Sequence, residues 1–539
     1  MRPVSATRAR VLIAAVMIVA ASTSTIAQPG YAESESADWA MGGQAITNMR
    51  YQPDETKLSA STVGNLHPKW IATMHGDVTA TPAVVDGAVY VPDWGGYISK
   101  LNAKTGAVIW SKSLDTLIGD PTKHYISRTS PVVAGKDLLI GTQKGGLLLK
   151  LDARNGNLVW SRTVDKYGTA DAIVTQSPVV YKGIAYVGVA STEENNVAFG
   201  APCCFFRGNI SAFKVSTGER LWAADTIANS EYTEGFRGVG VWGSTPTVDK
   251  ARNSLYVTTG NNYKVPDSVA ACQAAYSGGV YHCEDAFPGN HVDSIMSLDL
   301  TTGALKWSQR MEDYDAWNVA CIFGDPTACP NPAGPDFDFG QGAILIKNTK
   351  VGDVLAAGQK SGMLWGLDPA NGNVRWSYLA GPGSTLGGLE WGSASDGKRI
   401  YYAVVNLYGI PFPLTKPAPG SAAVANVGLW GAVDAATGQP VWQRADPNNA
   451  VDLGPVSVAN GVVYASSFGG QVGVPGSSGG GKPTMFALDA KTGAQKWSYA
   501  TPGSVNASPS IVEGSLYWGG GYSNLFLGDA DPHLYAFTS

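Results

Sequence analysis

The chain has 539 residues, 44% of them hydrophobic and only 15% charged, and its net charge of −5 is spread along the length without a basic run. That balance leaves no electrostatic footprint for nucleic acid or an anionic membrane, so neither partner is expected. With 66 glycines and 31 prolines, the chain reads as turn-rich, globular and all-β, and it is long enough to bury a large core.

At the N-terminus, Arg2, Arg8 and Arg10 precede an apolar run from Val11 to Ala21, then small residues with cleavage expected after Ala27 or Ala32. This is the pattern of a secretory signal. The run is short of the ~20 residues needed to span a bilayer. Residues 1–32 are therefore set aside as a signal peptide and 33–539 taken as one folded unit, periplasmic or secreted, without stable membrane insertion.

Beyond that point one unit recurs down the chain. It is a turn followed by a strand ending in tryptophan: LNAKTGAVIW at Trp110, LDARNGNLVW at Trp160, FKVSTGERLW at Trp222, LDLTTGALKW at Trp307, LDPANGNVRW at Trp376, VDAATGQPVW at Trp442 and LDAKTGAQKW at Trp497. Before most copies lie alternating apolar runs split by tight turns, as in TPAVVDGAVYVPDWGGYISKLNAKTG. Each such stretch predicts three strands feeding a fourth, one blade of a propeller. Glycine in the Thr-Gly or Asn-Gly turn accepts positive φ without steric cost, and the tryptophan can close the gap to the neighbouring blade.

A degenerate eighth copy, NLHPKW at Trp70, precedes the others, and the C-terminal tail supplies three strands but no final tryptophan strand. The two fragments are complementary, so the first is expected to complete the last blade and close an eight-bladed β-propeller without free edges. Intervals of roughly 50 to 85 residues between the later tryptophans exceed a minimal blade, and the surplus is expected in loops on one face, where function should lie.

Six cysteines form three sequence-local groups, Cys203 with Cys204, Cys272 with Cys283 and Cys321 with Cys329, which suits an oxidising compartment. No Cys-x-x-Cys-His occurs, so covalent haem is not expected and electrons from any redox chemistry must leave to a separate acceptor. Gly238-Val-Gly240-Val-Trp242-Gly243 has the letters of a dinucleotide fingerprint but no βαβ context. Gly476-Ser-Ser478-Gly-Gly480 spells a nucleophile elbow inside a Gly/Ser-rich loop that explains it by composition. Six scattered histidines give no zinc motif.

The tryptophan repeats, with the non-repeat stretches ISRTSP, ASTEEN, PCCFFRG, TTGNNY, GPDFDFG, GQKSG and LEWGSASDGKRIY, resemble the quinoprotein alcohol dehydrogenases, in particular their polyvinyl-alcohol dehydrogenase branch. The resemblance implies a pyrroloquinoline quinone cofactor and a calcium ion on the propeller axis. It implies that a vicinal Cys203–Cys204 disulfide packs against the quinone near Arg207, although the pair lies one blade later than in the methanol-dehydrogenase pattern. On the other face Trp242 would stack, standing before Gly260-Asn261 at nearly the family spacing. Glu193, with Glu194 as the neighbouring alternative, Asn261 and Asp338 would hold the metal.

Asp338 would also act as the base that takes the alcohol proton. The family places this aspartate in an Asp-x-Trp-Asp run, whereas YDAWN has Asn318 there. The Cys321–Cys329 loop then reads as an insertion separating Trp317 from the base, with Asp336 and Asp315 as alternatives. Arg128 would meet a quinone carboxylate, Lys360 the reacting carbonyls, and Asn406 and Thr175 further cofactor atoms. Gly340 stands where lanthanide-using relatives carry a second aspartate, which favours calcium. The expected activity is oxidation of polyvinyl alcohol or another secondary alcohol to a ketone or aldehyde, with electrons passing to an external acceptor such as a cytochrome c. The competing expectation is a binding propeller that has lost the quinone.

Overall fold

The computed structural model describes Met1 and residues 37–275, 283–524 and 527–539. The expected signal segment thus lies outside the described residues. Eight antiparallel four-stranded units follow one another as propeller blades. The first blade comprises Ala83–Val85, Ala88–Pro92, Tyr97–Asn102 and Val108–Ser113. The next six lie within 132–163, 179–225, 247–310, 344–379, 394–445 and 457–500. In the last, Ser510–Val512, Ser515–Gly519 and His533–Thr538 take their outer strand from His67–Thr73. Fusing the two chain ends in one sheet closes the ring as the complementary fragments required.

Second strands such as Ala88–Pro92 and Asp137–Gly141 are buried at every position, because both of their faces pack against neighbouring blades. The outer strand His67–Thr73 is largely exposed.

Blades are joined by one repeated contact. Trp70, Trp110, Trp160, Trp222, Trp307 and Trp442 each donate their indole N–H to a carbonyl of the following blade at 3.0–3.3 Å. The turn glycine of that next blade lies flat on the ring: a Cβ on Gly303 would stand 2.5 Å from Trp222, and one on Gly106 2.7 Å from Trp70. The same glycines have φ near +73°, so backbone conformation and inter-blade packing select glycine together.

The repeat gives no sign of a second device. Residues 39–52 circle the axis as a strap that touches the innermost strands of seven blades. Trp39 exchanges two backbone hydrogen bonds with Val84, and the carbonyls of Ala40, Ile46, Thr47, Met49 and Arg50 accept from Val133, Val248, Leu345, Ser395 and Val458. Gln52 donates to the Ile511 carbonyl. The strap fills one end of the channel, and the loops at the opposite end are free to build a site.

Gly303→Ala should lower the thermal midpoint well beyond Gly87→Ala. Gly87 also has positive φ (+70°), but its Cβ would meet nothing within 4 Å. Both substitutions carry the left-handed strain of about 1–2 kcal/mol, and only Gly303→Ala adds about 1–3 kcal/mol of overpacking against Trp222. Equal midpoints in calorimetry would mean that tryptophan docking does not limit stability.

Candidate active site

Two kinds of segment meet at the open end: connectors entering the first strand of a blade, and loops between second and third strands. The connectors bring Arg128, Thr175, Trp242, Asp338 and Glu390, and the loops bring Glu194, Asn261 and Lys360. A cavity of about 600 Å³ lies between them, lined by Arg128, Thr175, Trp242, Asp338 and Lys360 of the expected set. That size suits a small-molecule or cofactor site.

Asp338 is 2% exposed and held from two sides. Trp242 Nε1 donates to its Oδ2 at 2.6 Å, and Lys360 Nζ lies 2.7 Å from its Oδ1. Lys360 also bonds both oxygens of Asp336 at 3.2 Å and stands 5.0 Å over the Trp242 ring. Burial alone would lower the lysine pKa, but Asp336, Asp338, Glu390 and Glu194 together push it well above its ordinary value. Lys360 is therefore a permanent cation beside Asp338. Asp315, the more distant alternative base, is absent from the cavity wall, and its oxygens accept the backbone N–H groups of Asp336 and Phe337. It shapes the loop that presents Asp338. Asn318 caps the turn at Val319–Cys321, so the inserted loop lies over the cavity with Trp317 and Phe323 in its lining.

Of the two glutamates expected as alternative metal donors, the structure places only one at the cavity. Glu193 points away from the cavity and accepts the Phe205 and Phe206 N–H groups at 2.8 and 2.9 Å. Its neighbour Glu194 lines the cavity. Burial raises the Glu194 carboxyl to about 8, with Lys360 opposing and Asp338 adding to the shift, and Asn261 hydrogen-bonds it. Two successive residues at the start of a helical turn point in different directions, and sequence alone could not choose between them. Among the described residues no group of three or more acidic, histidine or cysteine side chains forms a ready cage. Glu194, Asn261 and Asp338 are an oxygen-rich partial set that suits a hard cation once a bound cofactor adds ligands. Unpartnered buried atoms of cavity residues, Gln143 Nε2, Thr385 Oγ1, Trp391 Nε1 and Glu390 Oε2, likewise fit a polar, multiply hydrogen-bonding occupant.

Three further expectations are displaced. Arg207 is buried outside the cavity, bonded to the Ile227 carbonyl, Asn229 and Asp225, so its charge is already spent. Asn406 closes its own loop, donating to the carbonyls of Ile410 and Val427 and accepting from Ile410 N–H. The Cys203–Cys204 disulfide forms, as do Cys272–Cys283 and Cys321–Cys329. The vicinal pair packs into the core beside Tyr263, and Tyr263 rather than the sulfurs reaches the cavity wall.

Sequence reasoning gave no role to Glu390 and Trp391, although both lie in the quoted stretch LEWGSASDGKRIY. Trp391 meets Trp242 edge to face at 5.4 Å and carries the Arg128 guanidinium 4.2 Å above its ring. Glu390 abuts Gly340, where a Cβ would lie 2.9 Å from the Glu390 carboxyl. An aspartate at 340 would collide with it. The available signal was a glutamate–tryptophan pair outside the repeat.

Fold and site together define a PQQ-repeat propeller with a buried, cation-balanced carboxylate site at its open end. The PQQ_2 family model, described as outer membrane protein assembly factor BamB, matches residues 69–309, 208–387 and 428–538. The chain belongs to this family. It is 28% identical over 522 residues to a polyvinylalcohol dehydrogenase of Sphingopyxis sp. (strain 113P3), covering 88% of this chain and 71% of that protein. It is also 28% identical over 384 residues to a polyvinylalcohol dehydrogenase of Pseudomonas sp, covering 68% and 55% respectively, so the match spans about half of that second relative. The quinohemoprotein alcohol dehydrogenase structure from Comamonas testosteroni superposes with TM-score 0.66 at 20% identity, covering 94% of this chain and 81% of that one.

Glu390 also predicts a pH dependence. Its burial, with Asp338 adding and Lys360 and Arg128 opposing, raises the carboxyl from 4.5 to about 7. The folded protein therefore keeps a proton that the unfolded chain releases. This stabilisation is complete below pH 4.5 and is lost as pH rises through 7, on the order of 3 kcal/mol at most. Thermal midpoints of cofactor-free protein between pH 4.5 and 8 should fall less steeply in Glu390→Gln than in wild type. Parallel curves would show that Glu390 titrates normally.

Proposed function

We propose that the chain oxidises alcohols with pyrroloquinoline quinone and a calcium ion bound in the 600 Å³ cavity. The observation that carries this reading is the convergence of Asp338, Lys360, Trp242, Glu194 and Arg128 on that one cavity from four different blades. When bound, the quinone supplies a hydride acceptor and the cation polarises its carbonyl. Glu194, Asn261 and Asp338 would hold the cation, the Arg128 guanidinium would meet a cofactor carboxylate, and Trp242 offers an aromatic face for the planar ring system.

Asp338 takes the alcohol hydroxyl proton at a carboxylate oxygen. Trp242 and Lys360 fix its orientation. The buried walls exclude bulk water from the carboxylate. Phe199 and Phe323, 70% and 56% exposed, line the cavity beside Leu386 and Val474. An apolar entrance supports a substrate with a hydrocarbon backbone, polyvinyl alcohol or another secondary alcohol. Electrons then pass to an external acceptor such as a cytochrome c. The N-terminal segment supports export to the periplasm or beyond; among the described residues no helix is long and apolar enough to cross a membrane.

Dye reduction by the purified chain should require both quinone and calcium and should respond to secondary alcohols, including polyvinyl alcohol. Asp338→Asn should bind the quinone yet lose at least about 100-fold in kcat. Glu194→Gln should fail to reconstitute at calcium concentrations that saturate wild type, whereas Glu193→Gln should reconstitute normally. A chain that never binds quinone would instead be a binding propeller, and equal behaviour of the two glutamate variants would refute the assignment of Glu194.

A further inference from the structure

Between the large cavity and the strap lies a second void of about 50 Å³ on the propeller axis, bounded by Arg50 from the strap and Arg128 from the cavity floor. Arg50 is 4% exposed. Its guanidinium finds only neutral acceptors at long range: the Gly42 carbonyl, Thr81 Oγ1 and Ser508 Oγ at 3.3 Å and the Trp391 carbonyl at 3.5 Å. Its Nε has no partner. Among the described residues no carboxylate pairs with it, and burial lowers its pKa to about 10 with no acidic group raising it. A buried charge without a counter-charge is strongly unfavourable.

The rest of the lining is rich in donors. Thr79 Oγ1 accepts from Trp94 Nε1, Ser130 Oγ from Thr81 N–H, and Ser177 Oγ from Ser130 N–H. Each hydroxyl oxygen thereby accepts a protein hydrogen bond, and among the described residues none of the three donates to a protein acceptor. Two guanidinium groups and three hydroxyls thus border a small void, together with the Asn506 amide, whose Oδ1 has no partner among the described residues. Gly392 packs directly against Arg50, where a Cβ would stand 2.6 Å from its Nε.

We propose that this void is a binding site for a single halide-sized monovalent anion, held between Arg50 and Arg128 and ringed by Thr79, Ser130 and Ser177. The anion supplies the counter-charge that Arg50 lacks and ties the strap electrostatically to the cavity floor. The void shares Arg128 with the proposed quinone pocket, and the anion test is read on cofactor-free protein, so that failure of either reading is distinguishable.

Crystals of the purified protein grown with bromide should give an anomalous peak between Arg50 and Arg128. In solution, replacing gluconate by chloride at constant ionic strength should raise the wild-type thermal midpoint saturably, on the order of 2–4 °C. Arg50→Gln should lose both the peak and the chloride response, and Arg50→Lys should retain a weakened response. If Arg50→Gln does not fold, the wild-type peak and titration still decide. No peak, a peak that refines as water, or a midpoint indifferent to chloride would overturn the proposal, as would a response unchanged in Arg50→Gln.

Discussion

A tryptophan lying on the turn glycine of the next blade is the contact on which the rest of the molecule depends. It fixes the spacing and angle between blades, because the ring fits only where no Cβ stands and its N–H finds a carbonyl one blade further on. Repeated around the axis, it turns eight marginal sheets into one closed ring and aligns the loops of every blade at one end. The site inherits its rigidity from that ring: Arg128, Glu194 and the Asp338–Lys360 pair come from three different blades, and their convergence could not be placed by local structure alone.

That arrangement concentrates charge where solvent is scarce. Glu194, Asp336, Asp338 and Glu390 share one buried neighbourhood, and Lys360 and Arg128 are the cavity-lining cations that balance them. Burial pushes Glu194 and Glu390 upward toward neutrality, the expected response of carboxylates gathered where solvent is scarce. The strain of collecting like charges is tolerated because the surrounding blades are held by contacts far from the site.

The strap and the site occupy opposite ends of the same channel, and the division is physical. Inner strands leave one unpaired edge at the axis, and residues 39–52 satisfy it with backbone hydrogen bonds to six blades and a side-chain bond to a seventh. At the other end the loops are longer and pair with one another, leaving a cavity in place of a plug.

Much of this was legible in the sequence. The Gly-x-x-x-Trp units specify blades because a turn requiring positive φ and a strand-end indole recur together, and the complementary fragments at Trp70 and after Ser508 required closure. Asp338, Lys360, Trp242, Arg128 and Thr175 were legible as well, since each sits in a stretch that breaks the repeat. Glu193 against Glu194, the spent charge of Arg207, the loop-closing role of Asn406 and the position of Cys203–Cys204 behind Tyr263 were not. These depend on the direction of a side chain within a loop, which periodicity does not encode. By itself, then, the sequence determined the architecture and the inventory of chemical groups. Only the tertiary structure decided which groups face the cavity and that a strap carries Arg50 onto the axis, because both follow from contacts between residues hundreds of positions apart.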